Sequence, residues 1–285
     1  MRILTYNTIL ILVFFQMSCG LNDNEAPIPG YLNFTSIGVA PYGGSNVETN
    51  SITDLYVFLD GQIQGVFPLP AKVPIPNPEK SQELTILAGI KNNGVAANPV
   101  FYPFYKSFVK TIQMEPLEVI DMPILFEYAD KAKIKYYENF ESINSIFTLN
   151  VGGTNGTIQK DNTDATVGVS CGKVTLGSGM TTLQLATSTG VRKTDVAGGA
   201  SYVEFDYKGD GVISVGILKR SGANQLEQYK VFVPCKNEWN KIYIDFADLI
   251  SPKDFDDYRI LLGFSRKDNN NIANIQIDNL KHWSF

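Results

Sequence analysis

The stretch Ser201-Tyr202-Val203-Glu204-Phe205-Asp206-Tyr207 alternates apolar or aromatic residues with polar ones, Lys208-Gly209-Asp210-Gly211 supplies turn residues, and Val212-Ile213-Ser214-Val215-Gly216-Ile217-Leu218 runs back. Period-two alternation broken by a glycine-rich turn is the pattern of an antiparallel hairpin, because successive strand side chains point to opposite faces. Outward from it the pattern repeats. Tyr229 to Val233, Lys241-Ile242-Tyr243-Ile244-Asp245-Phe246, Tyr258 to Phe264 and Ile275-Gln276-Ile277-Asp278-Asn279-Leu280 all read as strands, and weaker ones lie near Phe147, Val167, Lys173 and Leu183. No window of 11 to 18 residues carries a sustained helical period. The expected fold class is all-β, in two β-sandwich domains: eight to ten strands over residues 134–285 suit a two-sheet jelly roll.

Upstream, Leu55-Tyr56-Val57-Phe58-Leu59 meets Asp60-Gly61 and then Gln62 to Pro68, a second hairpin signal. With Leu84-Thr85-Ile86-Leu87, Phe108 to Ile112 and Leu117 to Ile120, it predicts an N-terminal Ig-like sandwich over residues 29–128. The charged segment 129–133 reads as the linker. The run Phe101-Tyr102-Pro103-Phe104-Tyr105-Lys106-Ser107-Phe108 has two readings, core filling for a small sandwich or an exposed protein-contact patch.

Composition narrows function. Among 285 residues, 24 Lys and Arg against 29 Asp and Glu give a net charge of −5, and no basic block appears, so nucleic acid is not an expected partner. The one histidine, His282, excludes a multi-histidine metal site and makes a His-based catalytic triad implausible three residues from the end. Glycoside hydrolysis needs two carboxylates about 5 to 10 Å apart, and no pair stands out among the acids, which leaves a hydrolase as the third reading of this chain.

Residues 1–18 have the n-region, apolar run and small residue of a signal peptide: Arg2, then Ile9-Leu10-Ile11-Leu12-Val13-Phe14-Phe15, then Ser18 before Cys19. The run is too short to span a bilayer. Gln16-Met17-Ser18-Cys19 resembles the bacterial lipoprotein signal, which implies cleavage before Cys19 and lipid modification (palmitate) of that cysteine as the new N-terminus. The acidic tether after it, residues 19–28, resembles the surface-export signal of Bacteroidetes lipoproteins. That resemblance implies an outer-membrane, lipid-anchored protein at the cell surface. Cys171 and Cys235 then remain, and an oxidising compartment leaves two readings for them: a disulfide or two buried free thiols.

The order around Asp60-Gly61, Gly65 and Pro68 resembles the PEGA type of small β-domain. Asn139-Phe140-Glu141, Trp239 leading into Lys241 to Phe246, and the closing Ile277-Asp278-Asn279-Leu280 resemble the galactose-binding-like jelly roll of carbohydrate-binding modules. This second resemblance implies a structural Ca²⁺ on Glu141 and Asp278, joining the first and last strands, and it implies sugar binding. Sugar recognition calls for exposed aromatic faces beside amide, carboxylate or guanidinium groups. Tyr202, Tyr207, Tyr229, Tyr243, Tyr258 and Trp283, with Arg259 and other arginines, are the candidates. Alternation sets Tyr202 against Val203 and Phe205, and Tyr243 against Ile242 and Ile244. Tyr202 and Tyr243, joined by Trp283 and Arg259, are therefore the expected ligand-binding residues. The expected function is non-catalytic polysaccharide binding by an anchored envelope protein. The alternative is an accessory subunit docked on an outer-membrane barrel or lipoprotein complex.

Overall fold

A computed structural model describes residues 27–42, 48–97, 99–196, 199–251, 254–268 and 272–285. The expected signal peptide, Cys19 and most of the expected tether lie outside the described residues. The regular structure of the described residues is almost wholly β-strand; regular helix among them amounts to one turn at Ala247–Ile250 and a 3-10 turn at Lys193–Asp195.

Ten strands form the N-terminal half: β1 (Gly30–Phe34), β2 (Ile37–Val39), β3 (Ile52–Leu59), β4 (Gln62–Pro68), β5 (Ala71–Ile75), β6 (Gln82–Lys91), β7 (Pro99–Phe101), β8 (Phe108–Ile112), β9 (Val119–Asp121) and β10 (Ile124–Phe126). One sheet runs β4-β3-β6, with β7 and β8 both on β6; facing it are β5-β1-β9 and the pair β10-β2. The β3–β4 hairpin turns on Asp60 and Gly61 at φ 47° and 75°, the left-handed pair that a two-residue hairpin needs. On β5, Ala71, Val73 and Ile75 are buried while Lys72 and Pro74 are exposed, so here alternation does separate core from solvent.

Twelve strands form the C-terminal half: β11 (Lys133–Glu138), β12 (Phe147–Asn150), β13 (Gln159–Asp161), β14 (Cys171–Leu176), β15 (Thr182–Thr187), β16 (Val191–Arg192), β17 (Ser201–Gly209), β18 (Val212–Ser221), β19 (Asn224–Pro234), β20 (Asn240–Asp245), β21 (Asp257–Ser265) and β22 (Ala273–Ser284). They make two antiparallel sheets, β13-β14-β22-β17-β20 with β11 also on β22, and β12-β15-β21-β18-β19 with β16 also on β21. Val203, Phe205, Ile242, Ile244, Ile275 and Ile277 from the first sheet meet Leu183, Leu185, Ile213, Val215, Ile217 and Phe264 from the second in one core.

The two cysteines do not pair. Cys171 begins β14 in the first sheet, Cys235 follows β19 at the edge of the second, and both are free and buried. The disulfide reading is therefore corrected to its alternative. Each thiol is a small apolar filler, and burial pushes Cys171 up to about 11 and Cys235 up to about 12.

The halves meet on the outer face of the first C-terminal sheet. From Ser201 to Tyr207 every residue of β17 is buried, because that strand is covered on both sides. Its inward set faces the jelly-roll core; Tyr202, Glu204 and Asp206 face the N-terminal half. Tyr102, Phe104 and Tyr105 come from the aromatic run and form one apolar cluster with Tyr202, Tyr243 and Trp283. Tyr102 lies edge-on to Tyr202 at 5.3 Å, and Tyr128 stacks on Trp283 at 4.4 Å. The run thus fills a core, as its first reading expected, and that core extends into the C-terminal half; Phe101 alone of its first rings stays about half exposed.

Charges are enclosed in this interface too. Glu204 accepts from Tyr102 at 2.9 Å and from Tyr128 at 2.7 Å, and Lys241 lies 3.9 Å from it. Lys281 bonds Glu48, and Lys241 stands 4.0 Å from Glu48. Burial works to raise the Glu204 carboxyl, but Lys241 and Lys281 with the two phenols outweigh it and hold it below the ordinary value. Buried charges are tolerated only when paired and hydrogen-bonded in this way.

Candidate functional site

Tyr202, Tyr243 and Trp283, expected to present a sugar platform, are 5%, 1% and 0% exposed. Alternation assigned their face correctly, but that face is the one the N-terminal half covers. Tyr243 is held further by its hydroxyl, which accepts from the Ser51 amide, and by its carbonyl, which accepts from Asn93. Arg259 is half-buried and spent on the carbonyls of Thr187 and Ser188. None of the four offers a ligand surface.

Glu141 and Asp278 do converge, on one loop. Glu141 Oε1 accepts from the amides of Val169 and Ser170, and its Oε2 from the Ser170 hydroxyl. Asp278 Oδ2 accepts from the amide and hydroxyl of Thr166 and from the Val167 amide; its Oδ1 accepts from the Asn279 amide. Calcium needs six to eight oxygen ligands, whereas here N–H and O–H donors point at all four carboxylate oxygens. No group of three or more metal-ligating side chains occurs among the described residues. These residues do not fit a calcium ion; they pin residues 166–170 to the jelly roll by hydrogen bonds.

The outside of the second sheet lies away from the N-terminal half and carries exposed Phe232 beside buried Ala186, Leu218 and Leu261. Pairing across it sets Gln184 on β15, Gly263 on β21, Ser214 on β18 and Phe232 on β19 in one row, followed by Ala186, Leu261, Gly216 and Tyr229 in the next. Tyr229 and Phe232 are three residues apart and would face opposite ways on a regular strand. A register shift at Lys230, opposite Val215 and Gly216, brings both to the outer face. Their ring centroids lie 6.0 Å apart at 35°, and Phe232 is 68% exposed.

Glycines make the floor. A Cβ at position 216 would sit 2.2 Å from the Gln228 carbonyl oxygen, so the bulge requires Gly216. A Cβ at 263 would press on Ser214 and on the Tyr229 hydroxyl at 3.3 and 3.4 Å. With that floor low, Gln184 reaches across to donate to the Tyr229 hydroxyl at 2.7 Å, with Glu227 beside both. Burial raises the Tyr229 phenol, keeping it protonated and able to donate. Leu149, Val151, Ala186, Leu218 and Leu261 form an apolar strip alongside. The arrangement sets the exposed Phe232 ring and the half-buried Tyr229 ring beside an amide, a carboxylate and a hydroxyl, above a floor whose glycines, Ala186 and Leu261 are buried.

Tyr229 was among the six aromatic candidates; Phe232 and Gln184 were not. The available signal was Gly216 and Gly263, since an isolated glycine inside a strand marks a bulge or a close approach.

No family model matches this chain, and no curated protein matches it. Solved structures do. One, described as a study of the promiscuous specificity of carbohydrate-binding modules from the β-sandwich superfamily, aligns over 93% of this chain and all of its own, at 15% identity and a TM-score of 0.41. A family 29 carbohydrate-binding module variant complexed with mannohexaose covers 54% of this chain and 92% of its own at 15% identity and a TM-score of 0.35. A family 16 carbohydrate-binding module covers 44% and 84% at 15% identity and a TM-score of 0.32.

Proposed function

We propose that this is a non-catalytic envelope protein, lipid-anchored through Cys19 at the cell surface, that binds polysaccharide on the outer face of its second C-terminal sheet. The anchor rests on the order Arg2, apolar run, Ser18, Cys19 in the sequence. Several methylenes per acyl chain, at about 0.8 kcal/mol each, make a multiply acylated cysteine a stable anchor. The glycan reading rests on one observation: Tyr229 and Phe232 are brought to one exposed face by the Lys230 bulge, with Gln184 laid across a glycine floor toward them.

Rings of this kind pack on the C–H faces of sugars, and the amide, carboxylate and hydroxyl groups bond sugar hydroxyls. An open face rather than a closed pocket suits internal segments of a long chain. Affinity electrophoresis of the full chain in gels containing neutral polysaccharides tests this, beside a pull-down from solubilised outer membranes. Retardation by at least one glycan, lost in a Tyr229→Ala, Phe232→Ala double variant, is the expected result. Unchanged mobility in every gel, with stable co-purification of a membrane barrel, would replace this reading with that of an accessory subunit.

A further inference from the structure

Where the two halves meet, they enclose a cleft of about 430 Å³ to which both contribute: Asn50 and Lys91 from the N-terminal half, Lys236, Trp239, Asn240 and Lys241 from the C-terminal half. Its volume falls within the 300 to 1,000 Å³ typical of small-molecule sites. The packing described above, with the backbone bond from Asn93 to the Tyr243 carbonyl at 2.9 Å and from Asp245 to the Asn93 side chain at 3.0 Å, sets the cleft's walls.

Its chemistry is one-sided. Three lysines and no carboxylate line it. Lys241 is neutralised from behind by Asp206, Glu204 and Glu48, but Lys91 and Lys236 are exposed, and neither ammonium is paired with a carboxylate among the described residues. Trp239 is fixed by its Nε1, which donates to Asp164 at 3.2 Å. An indole suits the C–H face of a sugar ring, Asn50 and Asn240 suit its hydroxyls, and two unpaired ammonium groups favour a negative charge on the ligand.

We propose that this cleft binds an acidic sugar, a unit carrying a uronic-acid carboxylate. The site is separate from the outer face of the second sheet and does not depend on sugar binding there. Lys91 and Lys236 place the carboxylate, and Trp239 carries the ring.

Calorimetric titration of the full chain with trimers of galacturonate, glucuronate and mannuronate, against the corresponding neutral trimers, tests it. At least one uronate is expected to bind ten or more times tighter than its neutral counterpart, and more weakly as salt is raised. A Lys91→Gln, Lys236→Gln double variant, altered only at exposed positions, is expected to lose at least tenfold in affinity. Trp239→Ala should lose a similar factor. Equal affinity for acidic and neutral trimers, undiminished binding by the lysine double variant, preference for sulfated over carboxylated oligosaccharide, or no saturable binding of any uronate would each overturn the proposal.

Discussion

The hydroxyl of Tyr102 donates to Glu204 Oε2 across 2.9 Å, joining a loop of the N-terminal half to an inner strand of the C-terminal sheet it covers. Both residues are buried. Removing the donor by Tyr102→Phe leaves a charged acceptor one partner short, and about 1 to 3 kcal/mol of stability should be lost in urea denaturation. Glu204→Leu should cost more, about 3 kcal/mol or above, because Lys241 and Lys281 lose a counter-charge inside the protein. A cost below about 1 kcal/mol for the latter would mean that this charge cluster does not hold the halves together.

Trp283 and Phe232 should separate cleanly in mutagenesis. Trp283 is fully buried between Tyr42 and Tyr128, so Trp283→Ala should destabilise by about 3 to 5 kcal/mol. Phe232→Ala, at a solvent-facing ring, should stay within about 0.5 kcal/mol of the parent while weakening polysaccharide retention. Thermal melts beside affinity electrophoresis read both; a Phe232→Ala variant that melts like Trp283→Ala would contradict the assigned exposure.

His282 should control part of the acid response. Burial, with Lys135 adding to it, lowers the imidazole from 6.5 to about 3. It touches Ser201 Oγ at 3.0 Å, and its Nδ1 has no partner. Between those two values the unfolded chain binds the proton and the folded chain does not, so stability is complete above about pH 6.5 and falls as pH drops toward 3. The slope approaches 1.4 kcal/mol per pH unit. Asp278, pushed up to about 6 by burial, contributes the opposite slope between about pH 4 and 6, so the difference between parent and His282→Phe stability curves carries the test. An imidazole that titrates near 6.5 by NMR in the folded chain would refute it.

Cys171 and Cys235 should be silent toward thiol reagents in the native state. Their raised values leave almost no thiolate at neutral pH. Two thiols should react only after denaturation, and reductant should leave the melting temperature unchanged. Absence of free thiol in the denatured, unreduced protein would restore the disulfide.

Calcium and chelator should both leave the melting temperature where it is. A cation at a hundred times its dissociation constant would add about 2.7 kcal/mol, several degrees for a domain of this size. A rise of that order would show that Glu141 and Asp278 exchange their N–H partners for metal.

Much of the architecture is legible in the strand patterns. The Asp60-Gly61 hairpin, the β17–β18 hairpin and the strand-dominated fold follow from alternation and turn chemistry, which act over a few residues. Even the faces were right: Tyr202 and Tyr243 do point away from Val203 and Ile244. Alternation tells which residues share a side of a sheet, not what lies against that side, and every exposure expectation for Tyr202, Tyr243 and Trp283 failed on that distinction. Phe232 went unread for a different reason, since a one-residue bulge at Lys230 reverses the parity that sequence spacing assumes.

Local physics, then, already dictated a strand-built protein: side-chain period and φ-permissive turn residues are properties of short segments. Which face stays open belongs to the assembled molecule. Tyr102, Phe104 and Tyr105 are some hundred positions from Tyr202 in the chain, and only their packing turned one sheet face into an interior, while Phe232 on the other sheet stays in solvent. Burial of that kind depends on contacts between distant segments, which no local pattern encodes.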